Sequence, residues 1–156
     1  MKAKVKRKDL LDNNDIWNAV IGVLSEYEQS NEEKNYNEAY IVYHYYSELE
    51  SGGHESLLNW FQWYIEEVGI DSYLNELIGI LEKIGAYDYA IIEKKYGHKM
   101  WRLYLDLENA KIEEDEFYHV IGKANDEYYN LNGKLEKDLE AYFVKIHTDL
   151  IEVVDD

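Results

Sequence analysis

The chain has 156 residues, a length that suits one domain, and 46% of them are hydrophobic, which is enough to form a core. Its 33 acidic residues outnumber 16 basic ones, and the formal net charge of −17 argues against direct binding to nucleic acid or to an anionic membrane. Cysteine is absent, which excludes disulfides and thiolate metal sites and suits the cytoplasm, and no apolar run approaches the ~18 residues of a membrane span.

The charge is divided unevenly along the chain. The first eight residues contain five basic side chains and no acidic one, and we expect residues 1–8 to be a flexible basic arm. Residues 9–156 are predicted to be an acidic all-helical domain, with 11 basic and 33 acidic residues and a balance of 11 − 33 = −22. Such a domain attracts basic proteins, metal cations or its own basic arm.

The first half of the domain has the apolar spacing of amphipathic helices, with hydrophobic residues three or four positions apart. Two predicted helices precede Gly52-Gly53, where glycine tolerates the left-handed backbone of a helix C-terminus. Two more follow, and the second of these ends at Gly85. We expect Gly52, Gly53 and Gly85 to have structural roles.

The second half continues the same spacing. Residues 87–96 and 99–109 are predicted as two short helices hinged at Gly97-His98, and residues 113–130 form another, weakened by Gly122. The last helix carries an apolar stripe from Leu135 to Leu150. The predicted fold class is therefore all-α, a single-domain bundle of about seven helices.

A search for catalytic or metal-binding motifs gives one candidate. Glu116 and His119 have the i, i+3 spacing that di-iron bundles use to place two ligands on one helix face, although such sites need two pairs and further glutamates. A surface salt pair is the simpler interpretation. Carboxylates are so abundant that no pair of them is diagnostic of catalysis. We expect no enzyme activity, no cofactor and no metal.

Aromatic residues cluster in the stretch Trp60, Phe61, Trp63 and Tyr64. Trp60 and Tyr64 share a helix face with Phe61, and core packing explains most of this cluster. Trp63 points away from that face, which favours a position at an interface, where tryptophan is enriched.

Two groups of acidic residues lie away from the apolar stripes and are candidate partner-binding sites. A solvated surface is the ordinary interpretation; the alternative is that they imitate DNA phosphates. Duplex DNA carries one charge per roughly 1.7 Å, so 22 charges correspond to roughly 37 Å of DNA, close to the diameter of about 40 Å of a domain of this length. The candidate residues are Glu113, Glu114, Asp115, Glu116, Glu136, Asp138 and Glu140.

Three stretches of the sequence resemble one bacterial family, and they follow each other in the same order as in that family. The run from Glu48 to Phe61 is similar to the signature E-x-x-x-GG-[FH]-x-x-[FL]-[FL], and residues 81–86, LEKIGA, are similar to L-x-x-I-G-A. Residues 126–129 and 135–142 resemble the ending D-x-x-[FY]-Y … L-E-x-x-L-x-x-Y. The chain thus resembles, over residues 16–147, the family called after the DNA mimic protein nineteen. The resemblance implies a helical domain, often dimeric, that binds a helix-turn-helix repressor in place of DNA and has no enzyme activity.

Three functions follow as hypotheses. The first is an acidic protein-binding module, a DNA mimic that occupies the DNA-binding site of a basic transcription regulator. The second is an immunity-type protein that neutralises a basic toxin such as a nuclease. The third is a metal protein or enzyme built on Glu116 and His119. The sequence leaves the partner and the arrangement of the acidic residues open.

Overall fold

The computed structural model describes residues 2–26 and 34–155. In this part of the chain six helices account for most residues, which confirms the all-α prediction; α2 is bent, so the bundle has seven straight segments. In chain order the helices are α1 (Asn13–Ser25), α2 (Lys34–Val68), α3 (Ile70–Lys83), α4 (Tyr87–Glu108), α5 (Glu114–Tyr129) and α6 (Lys134–Leu150). None of these helices combines the length and apolarity needed to cross a bilayer.

The helix α2 is the centre of the bundle and packs against α3, α5 and α6, while α4 lies between α3 and α5 and α1 packs on α6. Each helix places an apolar stripe in one shared core. The spacing of the residues in these stripes is the periodicity that predicts the helices. The largest buried side chains include Tyr45, Phe61, Tyr73, Phe117 and Phe143.

The basic N-terminal residues form regular structure, whereas the sequence predicts a flexible arm. Ala3–Lys6 forms a strand, β1, which pairs in parallel with β2 (Ile151–Val154) at the other end of the chain. A short 3-10 turn, Arg7–Asp9, follows β1, and Lys2 Nζ donates to the carbonyl of Thr148. Alternating apolar residues in both segments allow this pairing; four residues alone are too few to predict it.

The predicted hinge at Gly97-His98 is wrong, because Tyr87–Glu108 is one continuous helix. Gly97 is buried where α4 crosses α3, and a Cβ built on it would lie 2.7 Å from Cδ2 of Leu74. The glycine therefore permits a close helix–helix approach and does not end a helix. Sequence cannot distinguish these two uses of glycine in a helical pattern.

The corner at Gly52-Gly53 lies where the sequence predicts it. Gly53 has a φ of +71°, and the two glycines interrupt the helical backbone, so α2 consists of two segments of different direction. A Cβ on Gly52 would approach Cβ of Ser56 to 2.9 Å. Gly85, after α3, has a φ of +87°, which an L side chain rarely adopts.

Candidate protein-binding surface

A buried polar network next to the corner joins α2, α4 and α5. His54 follows Gly53 and is fully buried, with Nε2 2.7 Å from Oε2 of Glu93 in α4 and Nδ1 2.7 Å from Oδ1 of Asn125 in α5. The backbone N–H of His54 also donates to Oδ1 of Asn125 at 2.9 Å, and the Tyr45 hydroxyl donates to Glu93 at 2.9 Å. These bonds fix three helices relative to one another.

The contacts of His54 indicate an imidazolium. Both ring nitrogens face acceptors, and the Asn125 atom must be oxygen because it also accepts a backbone N–H. Burial by itself lowers the pKa of His54, but the Glu93 carboxylate and the hydrogen bonds to Glu93 and Asn125 raise this pKa above its usual value. The network is thus a buried, hydrogen-bonded ion pair.

Gly53 makes this network possible. A Cβ at this position would lie 2.6 Å from the amide nitrogen of Asn125, so a side chain here would displace the amide that holds His54. The glycine pair of the family signature therefore has a packing reason as well as a conformational one.

Four glutamates from the same three helices lie around two tyrosine hydroxyls. Burial together with the charges of Glu108, Glu66 and Glu55 raises the pKa of Tyr104 to about 12. The neighbouring Glu55 carboxylate, together with burial and the charge of Glu114, raises the pKa of the Tyr118 hydroxyl. We call this set the acidic strip: Glu55, Glu66, Glu108 and Glu114.

Gln62 holds two members of the acidic strip together. Its Nε2 lies 3.3 Å from Oε1 of Glu66 and 3.2 Å from Oε2 of Glu108, while its Oε1 accepts a hydrogen bond from Tyr104. Among the described residues, no lysine, arginine or histidine forms an ion pair with any member of the strip. Two like charges that share one amide donor repel each other, and a cation from outside would relieve that repulsion.

Helix stability does not explain the positions of Glu66 and Glu108. Glu66 and Glu67 lie in the last turn of α2 and Asp106 and Glu108 in the last turn of α4, and neither turn contains a basic residue. The C-terminus of a helix carries a partial negative charge, so acids there are unfavourable. Their placement opposes local stability and therefore favours a binding role.

The first predicted acidic group, Glu113 to Glu116, is exposed at the start of α5. Glu114 belongs to the acidic strip, and its neighbours Asp115 and Glu116 share the first turn of α5, where the helix dipole favours negative charge. His119 is also exposed, and no group of three metal-ligating side chains that could hold a metal ion exists in the described chain.

The second predicted group does not meet the first, because the 16 residues and about 24 Å of α5 separate them. Glu136 lies near Tyr46 and Asp138 near Lys134, and burial raises the pKa of Asp138. Glu140 accepts a hydrogen bond from Asn13 in α1 at 3.4 Å. These three acids face different neighbours around α6.

Two tryptophans lie exposed on the second segment of α2. Trp63 is 52% exposed, outside the core as its position in the helix predicts. Trp60 is 42% exposed, so the prediction that it packs in the core is wrong. Leu57, Phe61 and Ile65 occupy the buried face, and Trp60 instead stacks on His44, with ring centroids 4.7 Å apart.

Sequence reasoning missed the His54 network and most of the acidic strip. One signal was available: Glu93 lies on the buried face of α4 between Tyr89 and Tyr96, where a carboxylate needs a partner. Glu55, Glu66 and Glu108 offered no comparable signal, because they are distant in sequence and share no motif.

Comparison with known proteins gives one match. The family model described as DMP19-like protein matches residues 30–147, which include the corner, the buried network and the whole acidic strip. Searches of curated proteins and of solved structures found no match to the chain.

Proposed function

Because the chain belongs to the DMP19-like family, we propose that it is an acidic protein-binding module whose acidic strip occupies the DNA-binding site of a basic transcription regulator. The observation that supports this most strongly is the convergence of Glu66 and Glu108 on Gln62 without a cation from the described chain. Carboxylates held in this way present fixed negative charges to a partner, as DNA phosphates do.

The charge balance supports the same proposal. Only 16 basic residues oppose 33 acidic ones, so most carboxylates have no internal counter-charge. A regulator that binds DNA carries lysine and arginine at the positions of phosphates. Attraction between the two surfaces speeds association and weakens with salt. The proposal involves no catalytic step and no cofactor.

The experiment that tests the proposal is capture of the partner at low salt. Immobilised full-length protein is incubated with lysate of the source cell, eluted with a salt gradient, and the eluate is identified by mass spectrometry. The expected result is a basic DNA-binding regulator that elutes at moderate salt and that its own operator DNA displaces. A basic nuclease whose activity the protein inhibits would point to an immunity function instead.

Matched variants locate the contact. E66Q/E108Q/E114Q removes three charges from the acidic strip, and E136Q/D138N/E140Q removes three from α6. We expect the first to weaken regulator binding at least tenfold and to reduce its salt dependence, and the second to change it little. Equal losses from both variants would mean that net charge alone attracts the partner, which contradicts a defined mimic surface.

A further inference from the structure

The second segment of α2 carries an exposed ridge of aromatic and acidic residues. Trp60, Trp63 and Glu67 follow each other at helical spacings of three and four, and Glu66 lies three residues after Trp63. All four are exposed in the described structure. We call them the tryptophan ridge; Glu66 belongs both to it and to the acidic strip.

The indole of Trp60 has a defined position. Its ring is stacked on the His44 ring at an interplanar angle of 22°, and the Tyr40 hydroxyl is near it. Burial lowers the pKa of His44 to about 4, so this imidazole is neutral at neutral pH and brings no positive charge to the ridge. Trp63 contacts Tyr64 edge to face, with ring centroids 5.7 Å apart. The ridge thus presents rigid aromatic surface beside uncompensated carboxylates.

We infer that the tryptophan ridge binds arginine side chains of the basic partner, with guanidinium planes stacked on Trp60 and Trp63 and their N–H groups donating to Glu66 and Glu67. The inference rests on the proposed function of the adjacent acidic strip and adds the chemical class of the partner's contacting residues. Arginine fits because its planar cation can stack on an indole and bond a carboxylate at the same time, whereas the lysine ammonium is a point charge with a larger hydration cost.

Charge argues against a second copy of this chain as the occupant. Contact between two ridges would bring Glu66 and Glu67 of one protomer against the same acids of the other, and the whole chain has a formal charge of −17. Like charges facing each other across an interface oppose association. An arginine-bearing segment supplies the missing cations and also covers the apolar rings.

The test uses the full-length protein and two synthetic peptides of equal length and charge, one with arginine and one with lysine at every basic position. Affinity is measured by calorimetry over a range of salt, and indole contact by quenching of tryptophan fluorescence. We expect the arginine peptide to bind more tightly and to retain more affinity at high salt. Trp63→Ala should weaken it by about 30-fold, the loss typical of a central interface tryptophan, and should change lysine-peptide binding little.

The controls separate this inference from the proposed function. Tyr87→Ala removes an aromatic residue that is 61% exposed elsewhere, at the start of α4, and should change neither affinity. Trp60→Phe tests the second ring while keeping an aromatic partner for His44.

If E66Q/E108Q weakens binding of both peptides but Trp63→Ala affects neither, the acidic strip stands and the ridge inference is overturned. If neither peptide binds in a salt-dependent way, the proposed function of the acidic strip and the ridge inference both fail. A dimer that Trp63→Ala dissociates would assign the ridge to self-association and also overturn the inference.

Discussion

Replacing one member of the buried His54–Glu93 pair should destabilise the protein far more than replacing both. Both side chains are at most 1% exposed, so Glu93→Leu leaves the His54 ring, and His54→Phe the Glu93 carboxyl group, buried without its hydrogen-bond partner and without water. Removing one partner of a buried pair costs about 3–5 kcal/mol. For a chain of this length that corresponds to a fall in Tm of about 6–20 °C.

The double variant His54→Phe/Glu93→Leu removes both charges and restores apolar packing. Replacing a whole buried pair in this way often changes the free energy of unfolding little. The Tyr45 hydroxyl still loses its acceptor, so we expect a loss of about 1–3 kcal/mol in the double variant, less than in either single variant. Urea unfolding followed by circular dichroism gives the four free energies of the double-mutant cycle.

A matched control is the exposed pair Lys95–Glu127, with Nζ 3.0 Å from Oε2, whose coupling should be much weaker than that of His54 and Glu93 because solvent screens it. The reasoning is refuted if the losses of His54→Phe and Glu93→Leu simply add in the double variant, because additivity within about 0.5 kcal/mol indicates independent sites.

Three further predictions follow from the same contacts. Because the pKa of His54 is raised on folding, its contribution to stability is fully present below about pH 6.5 and is lost as the pH rises through the folded-state pKa; thermal melts from pH 6 to 9 should show this decline in the wild type but not in His54→Phe. Gly53→Ala should destabilise by about 2–3 kcal/mol in urea unfolding, from its positive φ and its clash with Asn125; an unchanged midpoint would contradict both. Gly97→Ala should destabilise the protein by about 1–3 kcal/mol through overpacking against Leu74. Gly122→Ala, with open space around the new Cβ, should stabilise it by about 0.5–1 kcal/mol. Melting temperatures that shift in the same direction in the two variants would refute this difference between a packed and an open glycine.

The use of each glycine shows how far sequence reasoning reaches. Gly52-Gly53 is predicted correctly as a corner from the backbone freedom of two adjacent glycines, both of which have non-helical backbone angles. Gly97 was misread as a hinge, although the apolar period continues through it without a change of phase. Its close neighbour, Leu74, is 23 positions earlier in the chain, and only packing of α3 on α4 brings the two together.

The acidic surface shows the same limit. Glu113 to Glu116 form a group in sequence, and their position at the start of α5 follows from the helical pattern. Glu114 and Glu55 lie near Tyr118, and Glu55, Glu66 and Glu108 lie near Tyr104, and this arrangement depends on which faces of α2, α4 and α5 are neighbours. Exposed faces carry no periodic constraint that specifies their neighbours, so these acids could not be grouped in advance.

The sequence by itself determined the helical class, the corner at Gly52-Gly53 and the strong excess of negative charge, because helical period, glycine backbone freedom and charge are properties of local sequence or composition. Tertiary structure alone decided that His54 is paired with Glu93 and Asn125, that Trp60 faces solvent, and that four carboxylates from three helices form one strip. The physical reason is that each of these depends on contacts between residues far apart in the chain, and such contacts are fixed only when the helices pack around a shared core.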